Sequence, residues 1–530
     1  MRNLFKNCDI KVFLTMSALA VFYLFMLVYQ SRQVAITDDA RFYMAAAKSY
    51  YSYFDNCKFS KKCFEKGTID RYWRENNEHP PFAKLLMAGG YGFFHKKLNI
   101  LDEIRALRIG ISIFAVILLM FIFSFTRRAF SFHAAVFASL SFIFLPRTFF
   151  HARVATLDFA VAGTSFIFVY CYWRGFTSKF WAWMTGVAFG IALATKLNAP
   201  FMILPVLIHF FIFKWSDIKK RPFKTVFAPQ FVSMLIISLP LFFMMWPWLW
   251  HDSAARFISY VKFHTNHYGI LMYYLGKIYG EPRPPWHAPF VMMVLTTPLI
   301  SLFSASLAPV IYKWKNESEN NFAMTLSILC AFVSIAVLMF MPAPFYSGVK
   351  LFQPFFPFLA VIAGTGIYSM LKSVTFIPEK YKFAPGILFF IPVIVSMVDL
   401  KNDHLSYYNE LAGGTKGASL YKNEQHYYDL FYYDLTEFFN KECEKKRCRV
   451  AFEPNGKEYD PSSGILKKAG YLTKNFIYSD LAKADYFVLT HEYRWKDYPN
   501  ILRRSKNLKK VYSIEKQGVE LLTVFKLNSK

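Results

Sequence analysis

Charge is scarce in this chain, and acid is scarcer than base. Only 18% of the 530 residues are charged, against 55% that are hydrophobic. Soluble domains carry about a quarter of their residues as charges, so this composition excludes an ordinary water-soluble globule and points to a polytopic membrane protein. Asp and Glu number 35 against 62 Lys and Arg, a formal net charge of +27. The basic surplus is dispersed between apolar runs and not gathered on one polar segment. That argues against a nucleic-acid partner and for basic loops flanking membrane spans. No internal repeat is evident, which counts against a transporter built from inverted halves. No small-residue cleavage site follows the N-terminal apolar stretch, so the start reads as a retained signal anchor. No His-box and no Ser nucleophile motif is present, which disfavours a phospho-group or acyl transferase. Cysteines number only seven.

Apolar runs of spanning length fall at about 12–30, 106–126, 129–146, 157–173, 180–195, 199–214, 225–246, 289–311, 322–341, 352–371 and 384–399, which predicts about eleven transmembrane helices. With the N-terminus inside, the short loops on that side are basic, as in Lys219-Lys220-Arg221, and the long ones lie opposite. The expected organisation is a membrane part over 1–399 and a small extracytoplasmic α/β domain over 400–530. The first outer loop, 31–105, holds interfacial helices near Ala40–Tyr53 and Pro81–Lys96. The tail reads as a helix near 426–440, strands near 448–453 and 485–490, and a terminal hairpin turning at Gln517-Gly518.

The cysteines divide by side. Cys57 and Cys63 fall in the first outer loop and Cys443 and Cys448 in the outer tail, whereas Cys8, Cys171 and Cys330 fall inside or within the membrane. Two close pairs on one side suit an oxidising compartment and two disulfides. The rival reading is a zinc site, though no His stands close to either pair.

Chemistry is expected on the outer side, where the long segments lie. Asp38 and Asp39 follow the first apolar run directly. Adjacent carboxylates raise each other's pKa and are costly near a bilayer, so they persist where they bind, exchange protons or meet a counter-charge; the bland reading is a solvated acidic loop. His79-Pro80-Pro81 closes the same loop, and Lys84 follows at a spacing that could turn its ammonium toward the acids. Asp158 opens the fourth apolar run, either as an N-cap or as a buried functional acid. His264 and His267 are spaced like ligands on one helix face, and Glu78 could join them around a divalent metal. An interfacial His pair without metal is the plainer alternative, and no cofactor is required.

The order of these motifs resembles the GT-C glycosyltransferases of the protein O-mannosyltransferase and aminoarabinose-transferase type. The resemblance rests on Asp38-Asp39-Ala40-Arg41-Phe42-Tyr43, His79-Pro80-Pro81 with Lys84, Arg108, and Leu157-Asp158 with Arg153. It continues through Ala194-Thr195-Lys196, Trp286-His287-Ala288-Pro289, Tyr346-Ser347-Gly348-Val349-Lys350 and Tyr407-Tyr408-Asn409-Glu410-Leu411-Ala412-Gly413-Gly414. Members often carry Asp-Glu where this chain has Asp38-Asp39. The resemblance spans about residues 30–420; the tail past 430 matches nothing.

Such a resemblance implies a sugar transfer, usually inverting, from a polyprenyl-phosphate carrier to a protein, lipid A or glycan acceptor on the outer face of a bacterial inner membrane. Asp38 is then expected as the base, with Asp39 as backup base or as a hydrogen-bond partner for the sugar, and Asp158 as the second acidic position of the catalytic set. Arg41, Lys84, Arg108, Lys196 and Lys350 would hold the donor phosphate, and His79, Arg153 and His287 would meet substrate. The competing readings are a lipid or solute transporter or flippase, and a non-catalytic envelope assembly subunit.

Overall fold

The structure, a computed structural model, describes residues 10–527 apart from 34, 59, 267–268, 282, 312–318, 341–344, 347, 376–377, 379–382 and 455. Cys8 and His267 therefore lie outside the described residues.

An uncharged apolar run of about twenty residues has one way to satisfy its backbone in lipid, which is to form helix. All eleven predicted runs contain helix. Among the described residues six helices are long and apolar enough to cross a membrane: Ile10–Ser31, Glu103–Ala129, Ala199–Lys220, Asn320–Phe340, Phe355–Ser373 and Phe383–Leu400. The run at 289–311 is a broken pair, Ala288–Thr296 and Leu299–Ile311, bent by 111°. Pro298 explains the break, because it forces Thr297 before it into an extended conformation (φ −101°, ψ 137°). Phe132–Ile143, Lys179–Leu193 and Pro229–Met245 are apolar but shorter, so the expected number of full spans is not reproduced. Small residues set the close approaches. Gly110 lies against the Leu86 carbonyl, and any side chain there would push the helix Phe82–Gly90 off Glu103–Ala129.

The loop 31–105 forms the helices Asp38–Cys57, Phe82–Gly90 and Tyr91–Lys97, close to expectation. The tail carries a five-stranded sheet in the order 476–478, 448–453, 486–490, 519–526, 509–516. The predicted strands and terminal hairpin are present, with Gln517 and Gly518 both at positive φ in the turn. The expected helix near 426–440 is shorter, Asp434–Glu442. The residues before it run extended, and Leu430–Phe431 pairs antiparallel with Ile36–Thr37. The tail thus docks onto the stretch that leads into the acidic pair.

Among the cysteines, Cys443 and Cys448 are bridged. Cys57 and Cys63 are not: both are buried free thiols, a correction to the expected second disulfide. They face each other, and burial together with the Cys63 hydrogen bond pushes the Cys57 thiol up to about 11. A thiol raised that far is a poor nucleophile near neutral pH.

Candidate functional site

Thr37 caps the helix Asp38–Cys57 by accepting from the Ala40 amide, which places both acids in its first turn. The Asp38 amide donates to the Asp429 carbonyl, so the tail's strand fixes where that turn begins. The two neighbours then diverge. Asp39 pairs with the ammonium of Lys350. Asp38 keeps a buried carboxylate oxygen, Oδ1, with no hydrogen-bond partner. Its carboxyl is pushed up to about 8, first by burial and then by Asp39 and Asp429, with Lys350 and Arg494 opposing.

A second acid–lysine pair stands beside the first. Lys196, from the turn after Lys179–Leu193, donates to Asp158 Oδ1 at 2.6 Å, and Asp158 is only 1% exposed. Tyr428 links the pairs: its hydroxyl donates to Asp158 Oδ2 at 3.2 Å, and Lys350 Nζ stands 4.9 Å from its ring centre. Tyr43 is buried in the field of Asp38, Asp39 and Asp158 and meets the His79 ring edge-on at 5.9 Å. Arg41 lies in the field of Asp38, Asp429 and Asp39. The structure therefore brings Asp38, Asp39, Arg41, His79, Asp158, Lys196 and Lys350 into one electrostatic cluster.

Arg494 braces this cluster from the tail. Its guanidinium donates to Asp429, to Glu492 Oε2 at 2.8 Å and to the Tyr427 carbonyl at 3.0 Å. Burial alone would pull Arg494 down, but Asp429, Glu492, Glu424 and Asp38 raise it, so it stays a fixed cation in the field of Asp38. Tyr428, Asp429 and Arg494 were missed from sequence. The Tyr-rich run 427–433 was the available signal, and reading it as helix hid its pairing with residues 36–37.

Three expected cations serve elsewhere. The Lys84 ammonium does not turn to the acids; it donates to the Asn76 carbonyl at 2.7 Å, Asn76 Oδ1 at 3.1 Å and the His79 carbonyl at 2.8 Å. Pro80 has no N–H to offer the Asn76 carbonyl, which receives only the His79 amide at 3.3 Å, and the buried ammonium completes both carbonyls. Arg108 donates to the Ser31 and Ala35 carbonyls at 3.0 and 2.9 Å, closing the end of the first span. Arg153 meets Gln30 Oε1 and His404 Nδ1, each at 2.7 Å. His287 meets the Tyr274 hydroxyl at 3.0 Å, on the hairpin Met272–Tyr274 and Lys277–Tyr279.

His264 and Glu78 are near each other but otherwise engaged. His264 Nε2 is 2.8 Å from the Glu78 backbone carbonyl, and the Glu78 carboxylate accepts from Asn76 at 2.6 Å. Among the described residues no three His, Cys, Asp or Glu converge as a ligand set. The His79 ring lies tilted, 5.1 Å from that of His264, with its Nδ1 buried and unpartnered; burial and the surrounding cations, Lys196 foremost, hold it neutral.

Two unlike-charge pairs, an aromatic hydroxyl between them and an unpaired carboxylate of raised pKa form an arrangement that can accept a proton beside cations able to meet an anionic leaving group.

Residues 78–248 match the family model described as dolichyl-phosphate-mannose-protein mannosyltransferase. That match contains Lys84, Arg108, Arg153, Asp158 and Lys196; it starts after the acidic pair and ends before Lys350. Among solved structures, the apo oligosaccharyltransferase of Archaeoglobus fulgidus is similar over 88% of this chain and 60% of its own, at 11% identity and a TM-score of 0.50. ArnT from Cupriavidus metallidurans bound to undecaprenyl phosphate aligns over 98% of both chains at 14% identity and a TM-score of 0.49. No curated protein sequence matches. The chain is an integral membrane protein with the GT-C glycosyltransferase fold.

Proposed function

We propose that this chain is a glycosyltransferase that moves a sugar from a polyprenyl-phosphate carrier to a hydroxyl acceptor on the outer face of a bacterial inner membrane. The observation that carries the reading is the pairing of Asp39 with Lys350 and Asp158 with Lys196, joined through Tyr428, beside the unpaired oxygen of Asp38. The family match adds to it, because its description names a dolichyl-phosphate sugar.

In this reading the acceptor oxygen attacks the anomeric carbon from the face opposite the phosphate, and the configuration inverts. The bond from that carbon to the phosphate oxygen breaks, and the polyprenyl phosphate leaves with both electrons. Asp38 takes the acceptor's proton. Negative charge grows on the leaving phosphate, and Lys350, Lys196 and Arg41 are the cations placed to meet it. Asp39 and Asp158 hold the two ammonium groups in position, and Arg494 and Asp429 set the field at Asp38.

Mass spectrometry of envelope lipids, glycans and proteins from cells with and without this chain tests the reading. Loss of one hexose, pentose or amino-sugar increment from a defined acceptor is expected. An unchanged glycan profile with altered lipid distribution or solute uptake would favour the transporter instead.

A further inference from the structure

Beside the acid–lysine pairs, where the tail meets the short helix Pro146–His151, lies a group of buried side chains that lack hydrogen-bond partners. Arg147 is 2% exposed; its Nε donates to the Tyr407 carbonyl at 3.0 Å, but Nη1 and Nη2 are unpaired. Glu424 is 7% exposed with both carboxylate oxygens unpaired, and His426 is 3% exposed with Nε2 unpaired. His151 is fully buried; its Nε2 meets the Tyr427 hydroxyl at 2.7 Å, and its Nδ1 is unpaired. The Tyr273 amide approaches the Glu424 carboxylate and the Tyr408 hydroxyl approaches the guanidinium, but neither closes a hydrogen bond of good geometry.

These groups face one another. Glu424, His426 and His151 all lie in the field of Arg147, and the first two also lie in that of Arg494. Arg147 is held between the rings of Tyr408 and Tyr427, at 4.6 and 5.8 Å. Gly348, at φ +53°, lets the chain pass Tyr427 and Arg147 with no side chain of its own, two residues before Lys350. His151 and Tyr427 in turn feel Asp158 and Lys350. The cluster is therefore contiguous with the proposed reaction centre.

Native proteins pair more than nine in ten buried polar groups, so six unpaired atoms on four neighbouring side chains call for a missing partner. Their chemistry restricts it. Arg147 needs acceptors, whereas Glu424, pushed up to about 8 first by burial, carries a proton near neutral pH and so both donates and accepts. An ammonium offers Arg147 no acceptor, and a phosphate dianion offers Glu424 no donor. A hydroxyl both donates and accepts, and a ring bearing several of them can serve an arginine and a carboxyl together.

We propose that Arg147, His151, Glu424 and His426 form a subsite for the hydroxyls of a sugar ring, next to the two acid–lysine pairs. The proposal rests on the glycosyltransferase reading and gives it a location for either the transferred sugar or a sugar of the acceptor.

The test uses the full-length protein in lipid nanodiscs, with methyl glycosides of a hexose, a pentose and an amino sugar as probes in saturation-transfer NMR. At least one glycoside is expected to bind. Glu424→Gln and His426→Gln should each weaken it about tenfold, the loss of one buried hydrogen bond to a polar ligand. Binding of sugar-free undecaprenyl phosphate should be unchanged in both variants, which also verifies their fold. Displacement of the glycoside by undecaprenyl-phosphate hexose, but not by undecaprenyl phosphate, assigns the subsite to the donor sugar; simultaneous binding assigns it to the acceptor. Absence of glycoside binding, or equal binding by wild type and both variants, overturns the proposal and leaves ordered water as the partner. Failure of the wild type to bind undecaprenyl phosphate would strike the glycosyltransferase reading instead.

Discussion

Lys84 and Lys350 are both buried ammonium groups within reach of His79, yet their surroundings are opposite. Lys84 is held by the neutral oxygens of Asn76 and His79, and burial pulls it down to about 7 against only weak support from Glu78 and Glu75. Lys350 is buried as well, but Asp39, Asp158 and Asp38 outweigh the burial and raise it above its ordinary value. Burial alone does not decide whether a lysine stays charged; the charge of its oxygen partners does. The first pocket shapes a loop. The second holds a permanent cation where a leaving phosphate would develop charge.

The largest expected effect comes from the acid beside Lys350. Asp38→Asn removes the proton acceptor and leaves the ammonium in place, so single-turnover transfer should fall by about a hundred- to ten-thousand-fold with donor binding retained. Retention of more than about a tenth of the activity would remove Asp38 from the base role and with it the functional contrast between the pockets. The wild type should also lose kcat/KM as pH falls below about 8, because a base must be unprotonated to accept, and Asp38 is raised to about that value.

Lys350→Met should be the most destabilising single change in the comparison. It leaves the half-buried Asp39, 24% exposed, beside Asp38 without its counter-charge, at a cost of about 3 kcal/mol, the low end for breaking a buried pair. Thermal unfolding in detergent checks this, and the added change Asp39→Asn should recover much of the loss. A Lys350→Met protein as stable as wild type would break the claim that this pocket is built on charge pairing.

Lys84→Met should cost less, about 1–3 kcal/mol, because it strands carbonyls and not a carboxylate. The same unfolding assay measures it. A loss equal to that of Lys350→Met would erase the distinction.

The subtlest test is the pH dependence of stability. Folded Lys84 holds fewer protons than the unfolded chain between about pH 7 and its ordinary value near 10.4, so its contribution becomes more favourable as pH rises through that window. Lys350 has the opposite sign: its contribution is complete below about 10.4 and is lost as pH rises beyond. Comparing the unfolding midpoints of wild type and Lys84→Met from pH 7 to 10 should show the variant lacking the upward component.

Much of the cluster is legible in the sequence. A carboxylate at the edge of an apolar run is conspicuous, and Asp38, Asp39 and Asp158 meet the lysines Lys196 and Lys350 from turns at the ends of other runs. What the sequence does not carry is the partner of each cation. Lys84, Arg108 and Arg153 look the same as Lys350 on paper, but they bind carbonyls or neutral side chains freed by prolines and helix ends. Helical periodicity is written locally, so the membrane helices could be read. The pairing of Thr37 with Leu430 is not local, and nothing between those residues encodes it. The break around Pro298 was not read from the sequence, because Pro240 and Pro309 sit inside helices and a proline alone does not mark a break.

That distant pairing has a consequence for how the protein matures. The strand that sets the start of the Asp38 helix lies near residue 430, and the guanidinium in whose field Asp38 lies belongs to residue 494. A nascent chain emerges from its N-terminus, so the acidic pair is made before the strand at 430–431 and before Arg494. A product truncated before residue 494 would keep the acidic pair and Lys350 but lose the guanidinium that acts on Asp38.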